Sequence, residues 1–163
     1  MDTQLTHSRL LELLAYEPST GVFTRRVTRG RGKAGAVVGY QQTKGYLQVE
    51  IDGVPYVLHR LAWFYVHGCW PTAQLDHRDG DRANNRIVNL RESTNIQNSY
   101  NRRAPKNNTS GFKGVYRFQG KWTAQISAGG HRHYLGRFDD AQAAADAVRI
   151  AREKLHGSFA NHN

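Results

Sequence analysis

Apolar residues follow two alternating rhythms along the first half of the chain. Leu5, Leu10, Leu11, Leu13 and Leu14 fall close to one helical face, with Thr6 or Ser8 placed to cap it, so the spacing predicts a helix within residues 5–16. The dense turn signal Glu17-Pro18-Ser19-Thr20-Gly21 leads to a strand opening Val22-Phe23-Thr24. Val37-Val38 and residues 45–52 predict further strands. In the second, Leu47, Val49 and Ile51 alternate with Gln48, Glu50 and Asp52, the period of a half-buried antiparallel sheet. Over residues 58–67 the rhythm is helical again, with Leu61, Phe64 and Tyr65 clustered and Trp63 nearby, and Cys69-Trp70-Pro71 ends it.

A polar block, residues 74–101, follows, with a helix expected to begin near Glu92. Residues 102–110 are polar and basic, too poor in apolar groups to bury much, and read as a linker. Beyond them, strand-like runs at 112–118, 122–128 and 133–138 are separated by the hairpin signals Gln119-Gly120-Lys121 and Gly129-Gly130. Asp139-Asp140 then caps a helix to about His156, on which Ala141, Ala144, Ala145, Val148, Ala151 and Leu155 make a narrow stripe of mostly small residues. The expected class is α+β in two modules, residues 1–101 and 111–163.

Composition narrows the function. The 163 residues suit one ordinary domain or two small ones, and 39% apolar against 22% charged gives modest cores, which weighs against a large cofactor-binding enzyme. No stretch approaches the roughly 18 apolar residues of a membrane span, and residues 1–7 lack the basic-then-apolar order of a secretory signal. A soluble protein of the cell interior is expected, with no membrane partner. Lys and Arg number 23 against 13 Asp and Glu, a net charge of +10 that calls for a polyanion, most commonly nucleic acid. The single cysteine, Cys69, excludes an internal disulfide and a zinc site built on several thiolates.

The chemistry gathers in the polar block. Asp76 stands beside His77, and two asparagines, Asn89 and Asn98, lie downstream. Phosphodiester hydrolysis asks for such a set: a histidine near neutral pKa to take a proton from water, and hard oxygen ligands for a divalent cation. Read singly, these residues equally describe a solvated loop with asparagines in its turns. Together, Leu58-His59-Arg60-Leu61-Ala62-Trp63, Asp76-His77, Asn84-Asn85-Arg86-Ile87-Val88-Asn89-Leu90-Arg91 and Gln97-Asn98 resemble the HNH endonucleases, most closely the phage-type homing branch in which the last motif histidine is an asparagine. The resemblance spans about residues 22–101. It implies a ββα-metal fold, with His77 as general base, Asp76 and Asn98 holding Mg2+ or Mn2+, and Asn89 bracing the loop and helping to orient His77. Asn95 and Asn101 compete with Asn98 for the ligand role. His59 is a recurrent position expected to pack or to touch phosphate, while His67, His131, His133 and His156 read as surface histidines.

Ser110-Gly111-Phe112-Lys113-Gly114-Val115-Tyr116-Arg117, Gly120-Lys121-Trp122-Thr123-Ala124-Gln125-Ile126, Tyr134-Leu135-Gly136-Arg137-Phe138 and the alanine-rich helix resemble the APETALA/ethylene-response-factor DNA-binding domain. That resemblance, over about residues 107–160, implies a three-stranded antiparallel sheet on one helix, with the sheet in the major groove. Arg117, Lys121, Trp122, Gln125, Arg132 and Tyr134 are its candidate DNA contacts, with core packing the alternative for Trp122 and Tyr134. Arg25, Arg26, Arg29, Arg31 and Lys33, on one Gly-rich segment, are candidates for phosphate contact or a solvated loop. Gly30-Arg31-Gly32-Lys33-Ala34-Gly35 matches a dinucleotide fingerprint only formally, since a strand rather than a helix is expected after it. The expectation is a metal-dependent, site-selective endonuclease on double-stranded DNA, nicking and homing-type, monomeric unless dimerisation pairs two sites, with no small-molecule substrate. The rival is a DNA-binding regulator carrying a relic nuclease motif.

Overall fold

Thr6 caps helix α1 (His7–Leu13) by accepting the Arg9 amide, and Leu14 already takes extended backbone, so the helix ends three residues before the predicted limit and strand β1 (Leu14–Glu17) begins. The computed structural model describes residues 5–102, 104 and 107–162. Strand β1 pairs antiparallel with β2 (Val22–Arg25). Gly21 lies between them at φ 75°, where an added Cβ would fall 2.6 Å from the Asn85 carbonyl carbon and 2.5 Å from the Arg86 nitrogen. Only glycine allows that approach.

Strands β3 (Tyr40–Gln41), β4 (Leu47–Ile51) and β5 (Val54–Val57) form an antiparallel sheet in that order. The strand expected at Val37-Val38 does not form: Val37 makes one isolated bridge, to Thr24, because Gly35 and Gly39 flank the pair at φ 81° and 117° and turn the backbone out of register. Helix α2 (Leu58–His67) occupies its predicted range and stops at Gly68, whose φ of 70° lets its N–H reach the Phe64 carbonyl. Leu10, Leu14, Phe23, Val49, Ile51, Leu58, Leu61 and Leu90 are the heart of the first core.

Strands β6 (Gln74–His77) and β7 (Leu90–Ser93) form a two-stranded sheet. The helix expected near Glu92 starts later, as α3 (Asn95–Tyr100), behind a capping box of Thr94 and Gln97. Glu92 itself is extended, its carboxylate accepting from the Thr72 and Ala73 amides at 2.6 and 3.2 Å.

The chain divides into two compact units, residues 1–92 and 93–163. Composition suggested a break at 102–110, of which Arg103, Pro105 and Lys106 lie outside the described residues, as do residues 1–4 and 163. Helix α3 falls in the second unit because its last turn packs there. The Tyr100 ring stacks on His156 at 3.7 Å, its hydroxyl accepts the Gly129 amide at 2.6 Å, and the Lys113 ammonium donates to the Tyr100 carbonyl at 3.1 Å.

In that unit β8 (Val115–Phe118), β9 (Lys121–Ala128) and β10 (His131–Phe138) make an antiparallel sheet with β9 central and a bulge between Tyr134 and Gly136. Helix α4 (Ala141–His156), capped by Asp140, lays Ala144 and Val148 on Val115 and Ala124. Its buried line continues through Arg152 and His156 rather than Ala151 and Leu155, the latter being 39% exposed. Arg152 is held there by donating to the Lys113 carbonyl at 2.8 Å, and His156 is buried rather than a surface histidine. The architecture is mixed α and β with small antiparallel sheets, and no helix among the described residues is long and apolar enough to cross a membrane.

Candidate active site

Strand β6 carries Leu75, Asp76 and His77 as three consecutive buried residues, which a one-faced strand would not do. Asp76 is accounted for by Arg91 of β7, whose Nε and Nη2 donate to Asp76 Oδ2 at 2.9 and 2.7 Å. Both side chains are buried, at 6% and 8% exposure, so the ion pair is shielded from water.

His77 is packed by rings and faced by an amide. The His59 ring meets it edge-on at 5.1 Å and the Tyr46 ring lies at 6.0 Å. Asn85 Oδ1 stands 3.4 Å from His77 Nε2. Burial pushes the His77 imidazole below its ordinary value, against the upward pull of Asn85 and of the Asp79, Asp76 and Asp81 charges, so the ring is neutral at neutral pH. His59, at the start of α2, is pushed down to about 3, first by burial and then by the His77 and Arg60 charges. A neutral, desolvated imidazole beside a carboxylate is a competent proton acceptor.

Asn89 holds the loop that follows His77. Its Nδ2 donates to Asp79 Oδ1 at 3.0 Å and to the Asn84 carbonyl at 2.8 Å, and its Oδ1 accepts the Asp79 amide at 3.2 Å. Burial raises Asp79, but hydrogen bonds from the Asp81 amide, Asn84 and Asn89 outweigh it and hold the carboxyl below its usual range. Asn98 lies in the middle of α3, in the second unit, and Asn95 is its exposed first residue. Asn101 is buried and accepts from Asn161 Nδ2 at both its main-chain oxygen (2.7 Å) and its side-chain oxygen (3.1 Å).

Among the described residues no group of three or more His, Cys, Asp and Glu side chains gathers as a metal cluster. The Asp76 carboxylate is a donor that suits a hard cation, since magnesium takes one or two carboxylates and completes its shell with water and phosphate. Arg91 on Asp76 is the kind of supporting donor that ligating carboxylates carry.

The basic segment is divided in use. Arg26 donates to the Leu14 carbonyl and the Tyr65 hydroxyl, and Arg29 shares Asp52 with Arg9, while Arg31 and Lys33 are exposed and Arg25 is half-buried against Gly32. On the sheet of the second unit, register sorts the candidates by face. Lys121, Gln125, Arg132 and Tyr134 share the face turned away from α4, whereas Arg117 and Trp122 pair with each other on the face that carries Val115 and Ala124. Trp122 packs on that core, and the Arg117 guanidinium lies 5.8 Å from the indole centroid. Arg137, opposite Thr123, joins the open face, where it lies over the Phe118 ring at 5.3 Å.

Sequence reasoning missed Asn85, Arg91 and Tyr46 as neighbours of the Asp-His pair. Asn84-Asn85 stands inside the HNH-like run, but nothing local to it shows that Asn85 faces His77. The sequence pattern of the HNH endonuclease family matches residues 56–100, the stretch that holds all of these groups except Tyr46. Protein 3.8 of Escherichia phage T7 is 35% identical over 105 residues, covering 63% of this chain and 86% of that protein. The chain belongs to the HNH endonuclease family. Similar too is an uncharacterized HNH endonuclease of Acanthamoeba polyphaga mimivirus, 31% identical over 127 residues that make up 76% of this chain and 65% of that one. An AP2-like ethylene-responsive transcription factor of Arabidopsis thaliana is 42% identical over 64 residues, 38% of this chain but 13% of the plant protein. No solved structure matches. Membership in this HNH family points to a nuclease or DNA-binding role, with DNA as the partner.

Proposed function

We propose that the protein is a metal-dependent, site-selective DNA endonuclease of the homing type. The observation that carries the reading is His77, buried and neutral, beside the carboxylate of Asp76 on a two-stranded hairpin. His77 takes a proton from a water whose oxygen attacks phosphorus; a new P–O bond forms as the bond to the 3′ oxygen breaks, and that oxygen leaves in line. Asp76 and Asn98 would hold Mg2+ or Mn2+, which when bound neutralises charge on the phosphoryl group and the departing oxygen. Asn89 keeps the loop after His77 in place by its three hydrogen bonds. One such site per chain favours nicking.

In the functional division we propose, residues 1–101 cut, residues 111–163 read DNA through the open face of their sheet, and residues 102–110 join them. Arg31 and Lys33 add phosphate contacts. The test is supercoiled DNA containing the gene's own flanks, incubated with Mg2+ and the wild type, with the His77→Ala variant, or with EDTA. Open circles from the wild type alone are expected; equal cutting by His77→Ala refutes the assignment of the base.

One observation favours the second reading, a DNA-binding regulator with a relic site: the Asp76 charge is already compensated by Arg91. Firm duplex binding without cleavage of any flank, with or without Mg2+, is the result that reading requires.

A further inference from the structure

Helix α4 covers one face of the sheet formed by β8, β9 and β10, and on the other face aromatic rings stand in the open. Tyr116 is 40%, Phe118 52% and Tyr134 64% exposed. Tyr116 lies opposite Thr123, Phe118 opposite Lys121 and Tyr134 opposite Gln125, so register gathers all three rings on the face turned away from α4. No Asp or Glu occurs in the three strands. An apolar surface fringed by cations alone finds its complement in a polyanion that also carries apolar groups.

The cations stand at the margins of this face. Lys121 lies at one end, where Asp139 pairs with it at 3.0 Å, and Arg132, opposite Ser127, lies at the other. Arg137, on the edge strand β10, donates to Gln119 Oε1 at 2.7 Å and lies over the Phe118 ring. Between these margins the central strand β9 presents Gln125 and Thr123, and Thr123, at 3% exposure, gives a ligand little to touch. The middle of the face is therefore one amide with a tyrosine on the strand to either side.

Bases differ in what they ask of such a surface. Guanine is read by Arg or Lys on O6 and N7, adenine by Asn or Gln on N6 and N7, and the methyl group of thymine by apolar side chains. In the major groove an A·T pair shows the adenine acceptor and donor beside that methyl group. We infer that the open face reads A·T pairs in the major groove: Gln125 takes the adenine edge, Tyr116, Phe118 and Tyr134 pack on thymine methyl groups, and Lys121 and Arg132 hold phosphates at either end. The inference rests on the reading of residues 111–163 as the part that reads DNA, and goes beyond it in naming the bases.

The test uses the full-length protein in EDTA, so that binding is measured without cleavage, and a duplex pool randomised at its centre. The selected sites are expected to hold a core of A·T pairs. In the selected duplex, replacing thymine by uracil removes only the methyl groups and should weaken binding about fourfold for each methyl buried. Tyr116→Ala and Phe118→Ala should flatten that difference between thymine and uracil, which a merely structural loss would leave in place. Gln125→Glu should move a selected adenine to cytosine, whose N4 donates to a carboxylate. The uracil comparison on the wild type decides even where a variant does not fold. Cores of G·C pairs, or full affinity for the uracil duplex, overturn the proposal and leave DNA reading by the sheet in force. Tighter binding of the separated strands than of the duplex also overturns it, because the rings would then stack on bases. An unchanged site preference in all three variants would remove the sheet as the reader, and with it both the inference and the reading beneath it.

Discussion

Arg91 places two N–H donors on a single oxygen of Asp76, at 2.9 and 2.7 Å, in a site from which water is nearly excluded. A buried pair of this kind adds little over a well-packed apolar pair, but removing one partner leaves the other charge uncompensated. Arg91→Ala should therefore destabilise the protein by about 3–5 kcal/mol in urea unfolding. Joining it to Asp76→Asn should recover a large part of that loss. Additive losses in the double variant would show that the two residues are not coupled.

Acid should expose His59. Its folded value is pushed down to about 3 from an ordinary 6.5, so between those values the unfolded chain binds a proton that the folded chain does not. Stability is whole above the unfolded value and falls as pH drops through this window, with a slope of up to about 1.4 kcal/mol per pH unit. Between about pH 7 and pH 5 the wild type should lose on the order of 1–2 kcal/mol more than His59→Gln. Parallel pH profiles for the two proteins would mean that His59 is hydrated in the folded state.

The elements that could be read from the sequence are those decided within a few residues. Asp140 caps α4, α2 ends just before Cys69-Trp70-Pro71, and Gln119-Gly120-Lys121 and Gly129-Gly130 turn their hairpins, because caps and turns are local chemistry. What could not be read was decided across the chain. Glu92 looks like the start of a helix, but its carboxylate is claimed by amides twenty residues earlier, and the strand wins. Arg152 and His156 look like solvent positions on α4, but a carbonyl at 113 and a ring at 100 draw them inward. The same holds at the site: Asp76 and His77 are visible as a pair, while Arg91, Asn85 and Tyr46 become neighbours only when β6, β7, the intervening loop and the β3–β4 region fold together.

Register separates two residues that the sequence placed together as DNA contacts. Lys121 is on the open face of the sheet and Trp122 is packed on the α4 face. Lys121→Ala should weaken DNA binding and lower the slope of log affinity against log salt by about 0.9, the signature of one lost phosphate contact. Trp122→Ala should instead lower the thermal midpoint of the second unit and leave that slope unchanged. The reverse pattern would place the indole on DNA.

Helix α3 has six residues, too few to hold itself in water, so its order depends on what Tyr100 touches. The ring stack on His156 and the hydrogen bond from the Gly129 amide are together worth about 1–3 kcal/mol. Tyr100→Ala should cost that amount and speed amide exchange throughout α3, with β8, β9 and β10 left as protected as before. Tyr100→Phe keeps the stack and loses only the acceptor for Gly129, so it should fall between the two. The consequence for catalysis follows from Asn98, which sits in the middle of this helix. If Asn98 holds the cation, Tyr100→Ala must raise the Mg2+ concentration needed for half-maximal cleavage while leaving duplex affinity in EDTA unchanged. An unaltered Mg2+ requirement in a variant whose α3 exchanges freely would remove Asn98 from the metal site.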